Sequence, residues 1–369
     1  CTDIWFSKDL TNCNNCFGCV NLRNKSYYIF NEPYSKEAYE KKLQEFNIGS
    51  YRSVREILQK ARALWAQFPV KYLHGYHNVN VSGELIYNGK NVLKSYSIED
   101  GENVKYSQLC WGKMTDCYDY SNFGLTSSRM YESMTAGYKS SGIKFCLECW
   151  DGVRDLEYSA YCNNSSNLFG CVGLRKKSYC IFNKQYTKES FDKLKAKIIQ
   201  HMNDMPYTDA KGRVYRYGEF FPPEFSPFAY NETLTQDFFP LTKEEAIQKG
   251  YVWRDPEARE FQTTVRAEDL PDLITDVTDD ILKEVIACGT CGKAYRLIPM
   301  ELVFYRNIKI PLPRACPNCR FLERFKLINP PKFWYRPCQC NGAADERGMY
   351  QNVASHAHGA GKCPNEFET

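Results

Sequence analysis

One stretch of this chain is written twice. Residues 17–41 read FGCVNLRNKSYYIFNEPYSKEAYEK and residues 169–193 read FGCVGLRKKSYCIFNKQYTKESFDK, with 16 of 25 positions identical. A duplication of this length restricts the chain to folds in which one structural unit occurs at two places. Each copy has an aromatic, strand-like run at 27–30 or 179–182, then Ser35 or Thr187 ahead of Lys-Glu and an amphipathic pattern. A Ser or Thr before an acidic first turn marks a helix start, because its hydroxyl accepts an N–H that the first turn leaves unpaired. Each copy therefore predicts a strand, a turn and a capping helix.

Upstream of the second copy, Val92, Val104, Cys117, Met130, Ile143, Leu156, Leu168 and Tyr179 recur at spacings of 11 to 13. Three positions after each of the first seven anchors the residue is small, as at Ser95, Ser107, Ser133, Cys146, Ser159 and Cys171, with Tyr120 the exception. Short repeated strands separated by Gly, Asn, Asp and Ser turns predict a stacked β-solenoid, since one unit cannot bury its apolar side alone. Two such words, about 25 residues, are expected per turn, so that strands lie on at least two faces. In that register Cys146 lies over Cys171, and Ser107, Ser133 and Ser159 stack on another face. The helices after Ser35 and Thr187 cap the stacks. Ile4, Cys16 and Tyr27 repeat the phase of Leu156, Leu168 and Tyr179, so the chain begins at Cys1 inside a solenoid and earlier turns are expected to precede it. The competing reading is two similar hairpins in a mixed α/β fold.

The expected architecture is mainly β: solenoid repeats with capping α-helices and a C-terminal zinc ribbon built on four cysteines. Six segments are expected. They are the end of a first solenoid with its cap (1–48), a helical junction (49–84), a second solenoid with its cap (85–202), a Pro/aromatic arm and acidic connector (203–286), the ribbon (287–337) and a second zinc site (338–369). In the junction Ser53 and Glu56 have capping-box spacing, and the helix they open is expected to pack across the two solenoid pieces. His74 and His77 read as surface residues of a turn. The arm is expected to cover the solenoid. No run is long enough to cross a bilayer.

Cysteine use splits in two: of 18 cysteines, 11 precede residue 181 and 7 follow residue 287. Cys13, Cys16 and Cys19 have the C-x2-C-x2-C spacing that opens a ferredoxin cluster site, but the following Cys-Pro is missing. They read as core and ladder residues, as do Cys146 and Cys149; metal binding by Cys13, Cys16 and Cys19 stays open. Cys288 and Cys291, followed after 24 residues by Cys316 and Cys319, make two C-x2-C knuckles. Four thiolates can surround a zinc ion at about 2.3 Å each and leave no position for a catalytic water. Cys338, Cys340, His358 and Cys363 are candidate ligands of a second zinc, with His356 the alternative histidine. Zinc spacing favours a reducing compartment, so a cytoplasmic location is expected.

The segment CGKAYRLIPMELVFYRNIKIPLPRACPNCRFLER resembles a zinc-ribbon domain that recurs in little-studied bacterial proteins, in the order knuckle, aromatic strand, Glu-Leu-x-Phe-Tyr, then Pro-x-Arg-Cys-x2-Cys-Arg. This resemblance implies a ribbon fold with Cys288, Cys291, Cys316 and Cys319 as ligands, and it implies no activity. The repeats joined to it resemble an uncharacterised family of candidate-phylum bacteria.

Net charge is only +4, yet residues 255–286 carry 10 acidic and 3 basic side chains, whereas 287–336 carry 10 basic and 2 acidic. Arg314, Arg320, Arg324 and Lys326 surround the second knuckle, and Arg336 follows Phe333, Trp334 and Tyr335. Cations beside aromatics can hold phosphates and stack bases, so RNA or DNA is a candidate partner. The leading expectation is a non-enzymatic scaffold or binding protein that touches nucleic acid or nucleoprotein through the ribbon. The first alternative is a purely structural zinc with a protein partner or homo-oligomer on the solenoid. Two enzymes remain: a treble-clef nuclease, or a polysaccharide-cleaving β-helix using Asp116, Asp119 and Glu132 or Glu148 and Asp151. Those acids read more simply as turn fillers.

Overall fold

Every third residue of the repeats turns a corner. Asp3, Phe6, Asp9, Asn12 and Asn15 all have left-handed backbone, with φ between 49° and 56°. Asn and Asp tolerate this region because their short polar side chains bond locally, which accounts for their density in the repeats. Two residues remain between corners, and the one just after each corner is the buried one. Cys13, Cys16 and Cys19 are each 0% exposed and thus line successive sides of a single turn. Four corners return the chain over itself, so Ile4 pairs in parallel with Cys16, and Cys16 with Tyr28.

This computed structural model describes residues 1–68, 71–255, 261–337 and 366–368. They fall into two compact units, one of Cys1–Val70, Glu257–Ile328 and Trp334–Thr369, the other of Lys71–Pro256 and Asn329–Phe333. The second unit holds the long repeat. Val92, Val104, Cys117, Met130, Ile143, Leu156, Leu168 and Cys180 form one column of parallel pairs, each 12 or 13 residues beyond the last. Further parallel bridges, such as Leu147 with Ala160 and Trp150 with Asn163, join the same turns on other sides. The strands so enclose a continuous interior of Ile86, Val92, Ile98, Met130, Leu156 and Leu168. The architecture is therefore mainly β with a few helices, and the repeat closes as a small parallel barrel.

One word is thus a whole turn, half the length expected. The backbone N–H of Cys146 donates to the hydroxyl of Ser133 at 3.2 Å, and that of Cys171 to Ser159 at 3.1 Å. Ser133, Cys146, Ser159 and Cys171 therefore alternate in a single column, and Cys146 lies two turns from Cys171. The last anchor also slips by one residue. Cys180 and Tyr28 take the inward positions, whereas Tyr179 and Tyr27 are corners with φ of 54° and 63°.

The duplicated stretch is the terminal turn with its cover. Asn31 ends the column in one copy by accepting the N–H of Val20 at 2.9 Å and donating to its carbonyl at 3.0 Å; Asn183 does the same to Val172, at 2.9 Å both ways. Helix α1 (Lys36–Glu45) starts at Ser35 as expected and buries Tyr39 against Phe17 and Ile29. Helix α2 (Tyr51–Trp65) starts at Ser50, three residues before the expected Ser53. Helix α3 (Lys188–Asp204) starts at Thr187 and buries Phe191 against Phe169 and Ile181. Rings of Tyr27 and Tyr179 pack edge-on to Tyr39 and Phe191.

The arm does cover the barrel of its own unit. Tyr217 donates to Glu157 at 3.0 Å, the Gly218 N–H donates to Tyr158 Oη at 3.0 Å, and the Phe220 N–H donates to Glu132 at 2.9 Å. Two short helices follow, α4 (Thr235–Phe238) and α5 (Lys243–Gln248), the latter opened by a Thr242 and Glu245 capping box. Among the described residues no helix is long and apolar enough to cross a membrane.

Candidate metal centre

The acidic connector supplies part of the core beneath the knuckles. Leu270, Ile274, Val277 and Ile281 pack with Ile286, Tyr295, Leu302 and Leu312. Two helices complete this part of the unit, α6 (Pro299–Asn307) and α7 (Pro317–Phe325). The first knuckle is a tight turn in which the Gly292 N–H donates to the Cys288 carbonyl at 2.9 Å, with Gly292 at φ 71°. A side chain there would meet the left-handed penalty that glycine avoids. The second knuckle differs from the expected ribbon: Cys316 is the N-cap of α7, and its sulfur accepts the Cys319 N–H at 3.5 Å. Glu301 to Tyr305, the Glu-Leu-x-Phe-Tyr of the motif, lie within α6.

The four sulfurs of Cys288, Cys291, Cys316 and Cys319 lie within 4.8 Å of one another. Those of Cys291 and Cys316 are 3.8 Å apart, the separation of two tetrahedral ligands each about 2.3 Å from a central ion. Burial pushes the Cys288 thiol up, but N–H groups of Cys316, Cys291 and Thr290 aimed at its sulfur bring it down to about 6. The donor set therefore fits a metal ion bound by four thiolates. Cys13, Cys16 and Cys19 are used differently, since their sulfurs donate to backbone carbonyls such as Leu22 and Tyr28, each at 3.4 Å. Cys338, Cys340, His358 and Cys363, with His356, lie outside the described residues.

The cations around the second knuckle are divided in use. Arg314 donates to the carbonyls of Leu270 and Pro271 at 2.8 and 3.0 Å and lies over the Tyr51 ring at 4.8 Å. Arg320 donates to Tyr305 Oη at 2.7 Å and to Glu301 at 3.0 Å. Both are structural cations. Lys326 pairs with Glu323 at 2.7 Å in the open, and Arg324 is exposed on α7. Arg336 is described only in its backbone, which pairs with Phe367. The connector and the basic segment also meet directly, through Arg306 and Asp279 at 2.7 Å.

Sequence reasoning missed Asp272, which accepts from Ser50 Oγ at 2.5 Å and from the Arg52 N–H at 3.0 Å. Only its place in the acidic run marked it. The candidate carboxylates of an enzyme are corner residues: Asp116 accepts from Asn103 at 3.0 Å and Glu148 from the Trp150 indole at 2.9 Å. Burial raises the carboxyls of Asp119 and Glu132, and Glu132 is taken by the arm. His74 is bonded through Nδ1 to Glu84 at 2.6 Å.

Fold and site together define a mainly β protein with a cluster of four cysteines placed so that it could hold a metal ion. Comparison with protein-family models, with curated proteins and with solved structures found no match.

Proposed function

We propose that this chain is a non-enzymatic scaffold: a short β-solenoid repeat whose separate metal module, stapled by one structural zinc, binds a protein partner. The observation that carries this reading is the use of the module's own chemistry. All four ligand positions are thiolate, and the two arginines nearest the cluster are spent on Glu301, Tyr305 and backbone carbonyls. On α6, Met300, Val303 and Phe304, at 75%, 53% and 54% exposure, share one helix face by spacing, while the exposed Arg306 is paired with Asp279. Such a stripe suits a protein surface better than a phosphate backbone.

Elemental analysis of the purified chain, followed by Met300→Glu and Phe304→Glu, tests this. One zinc that depends on Cys288, with partner capture or self-association lost in the α6 variants, is the expected result. A second reading keeps RNA or DNA as partner, favoured by the exposed Arg324. Salt-sensitive retention on single-stranded RNA that Arg324→Glu abolishes and the α6 variants leave intact supports that reading instead.

A further inference from the structure

The unit that carries the cysteine cluster also holds a cleft of about 830 Å³, within the size range of small-molecule sites. One wall is the first turn of α2, where Arg52 and Arg55 stand three residues apart and so share an edge of the helix. The Gly289 and Thr290 turn of the first knuckle and Arg314, which lies over the Tyr51 ring at 4.8 Å, also line the cleft. Beyond through-space attraction to Asp272 and to Glu323, the Arg52 and Arg55 guanidiniums have no hydrogen-bond partner among the described residues. Arg314 places a further cation in the cleft, and its buried Nη1 has no partner.

Four arginines, Arg52, Arg55, Arg314 and Arg320, line the cleft against three carboxylates, Glu268, Asp272 and Glu323. Asp272 already accepts from Ser50 and from the α2 backbone, and Glu323 is bonded to Lys326. A cation held away from water by neutral carbonyls and an aromatic ring keeps its field, and a positively charged wall in a cleft concentrates anions. Arginine forks match phosphate oxygens two at a time.

We infer that this cleft binds a small phosphorylated ligand, with Arg52 and Arg55 closing on its phosphate and Arg314 supplying fixed charge behind them. A small ligand is indicated because Glu268, Asp272 and Glu323 also line the cleft and repel an extended polyanion. This site goes beyond the scaffold reading and does not rest on it.

The test uses the full zinc-loaded chain, with inorganic pyrophosphate as probe, by calorimetry at low ionic strength. Saturable binding of one pyrophosphate per chain is expected, and it should weaken by at least about tenfold in R52Q/R55Q, the loss of charge-assisted bonds. R324Q, outside the cleft, should leave it unchanged. Zinc content and far-ultraviolet circular dichroism of R52Q/R55Q should match the native chain, because neither side chain has an internal hydrogen bond to lose. Absence of saturable binding overturns the inference. So does an equal loss in R324Q, or tighter binding of a single-stranded oligonucleotide than of pyrophosphate through the same two arginines.

Discussion

The barrel and the metal module use the same side chain for opposite purposes. In the barrel of the second unit Cys117 is fully buried, its thiol is pushed up to about 12 chiefly by that burial, and it donates to the Thr115 carbonyl at 3.3 Å. In the module three N–H groups aimed at Cys288 outweigh burial and bring it down to about 6, although burial raises the neighbouring Cys319. A thiol kept neutral is a small apolar filler, whereas one held as thiolate is a ligand. The difference extends to what holds each region together. Repeated burial and backbone rungs stabilise the barrel, and a few directed bonds around one point stabilise the module.

The largest expected effect tests that contrast. Chelating the metal, or replacing Cys288 by Ser, should unfold the segment that carries α6 and α7 while leaving the barrel intact, since structural zinc is worth about 10 to 16 kcal/mol in small zinc domains. Hydrogen exchange read by mass spectrometry should show α6 and α7 losing protection and the column from Val92 to Cys180 keeping it. Alkylation of the chelated protein should then modify the four knuckle thiols and spare Cys117, Cys146 and Cys171. Equal labelling of both sets would break the comparison.

Next comes the barrel interior. Leu156 is 0% exposed in the middle of the column, and Leu156→Ala should cost about 2 to 5 kcal/mol, the range for a buried leucine that leaves a cavity. Denaturant unfolding should show the loss in the barrel transition, with zinc content unchanged. A stability equal to that of the native chain would mean that the interior collapses freely.

Asp272 sharpens the comparison through pH. Hydrogen bonds from Ser50 and from the Arg52 N–H hold its carboxyl below the usual carboxylate range. A depressed folded value stabilises the ionised form, so the contribution is complete above the unfolded value of about 3.9 and fades as pH falls through the folded one. Asp272→Asn should remove the acid dependence of this contribution and lower stability at neutral pH. Parallel acid titrations of the two proteins measure it, and curves that stay parallel down to about pH 2 would assign the acid sensitivity elsewhere.

Legibility followed the same division. Features set by local chemistry could be read directly: the duplicated terminal turn, the helix starts at Ser35 and Thr187, and the four-cysteine cluster. The turn length could not, because the inward residues of the barrel recur every third position, a period that matches neither an alternating strand nor an α-helix. Cys13, Cys16 and Cys19 display that period, yet the same spacing is shared by cluster motifs. A one-residue slip at Tyr179 followed because both Tyr179 and Cys180 suit a buried place, and only the corner geometry separates them. Ser50 lost to Ser53 for a similar reason, since the partner that favours Ser50 is Asp272, far along the chain. The fate of Arg314 and Arg320 depended on Tyr51, Glu301 and Tyr305, residues brought to them only by the fold.

The smallest effect distinguishes what the column position requires from what it merely contains. Ser159 accepts the Cys171 N–H at 3.1 Å and donates to the Glu157 carbonyl at 3.0 Å. Cys171 does the corresponding work one turn later, since its sulfur accepts the Asn183 N–H at 3.5 Å and donates to the Phe169 carbonyl at 3.5 Å. Ser159→Ala leaves a buried N–H unpaired and should cost about 1 to 3 kcal/mol. Cys171→Ser keeps both bonds with a slightly smaller atom and should cost less than about 1 kcal/mol. If Cys171→Ser proves as harmful as Ser159→Ala, sulfur itself has a role in the barrel, and the separation between filler and ligand thiols fails there.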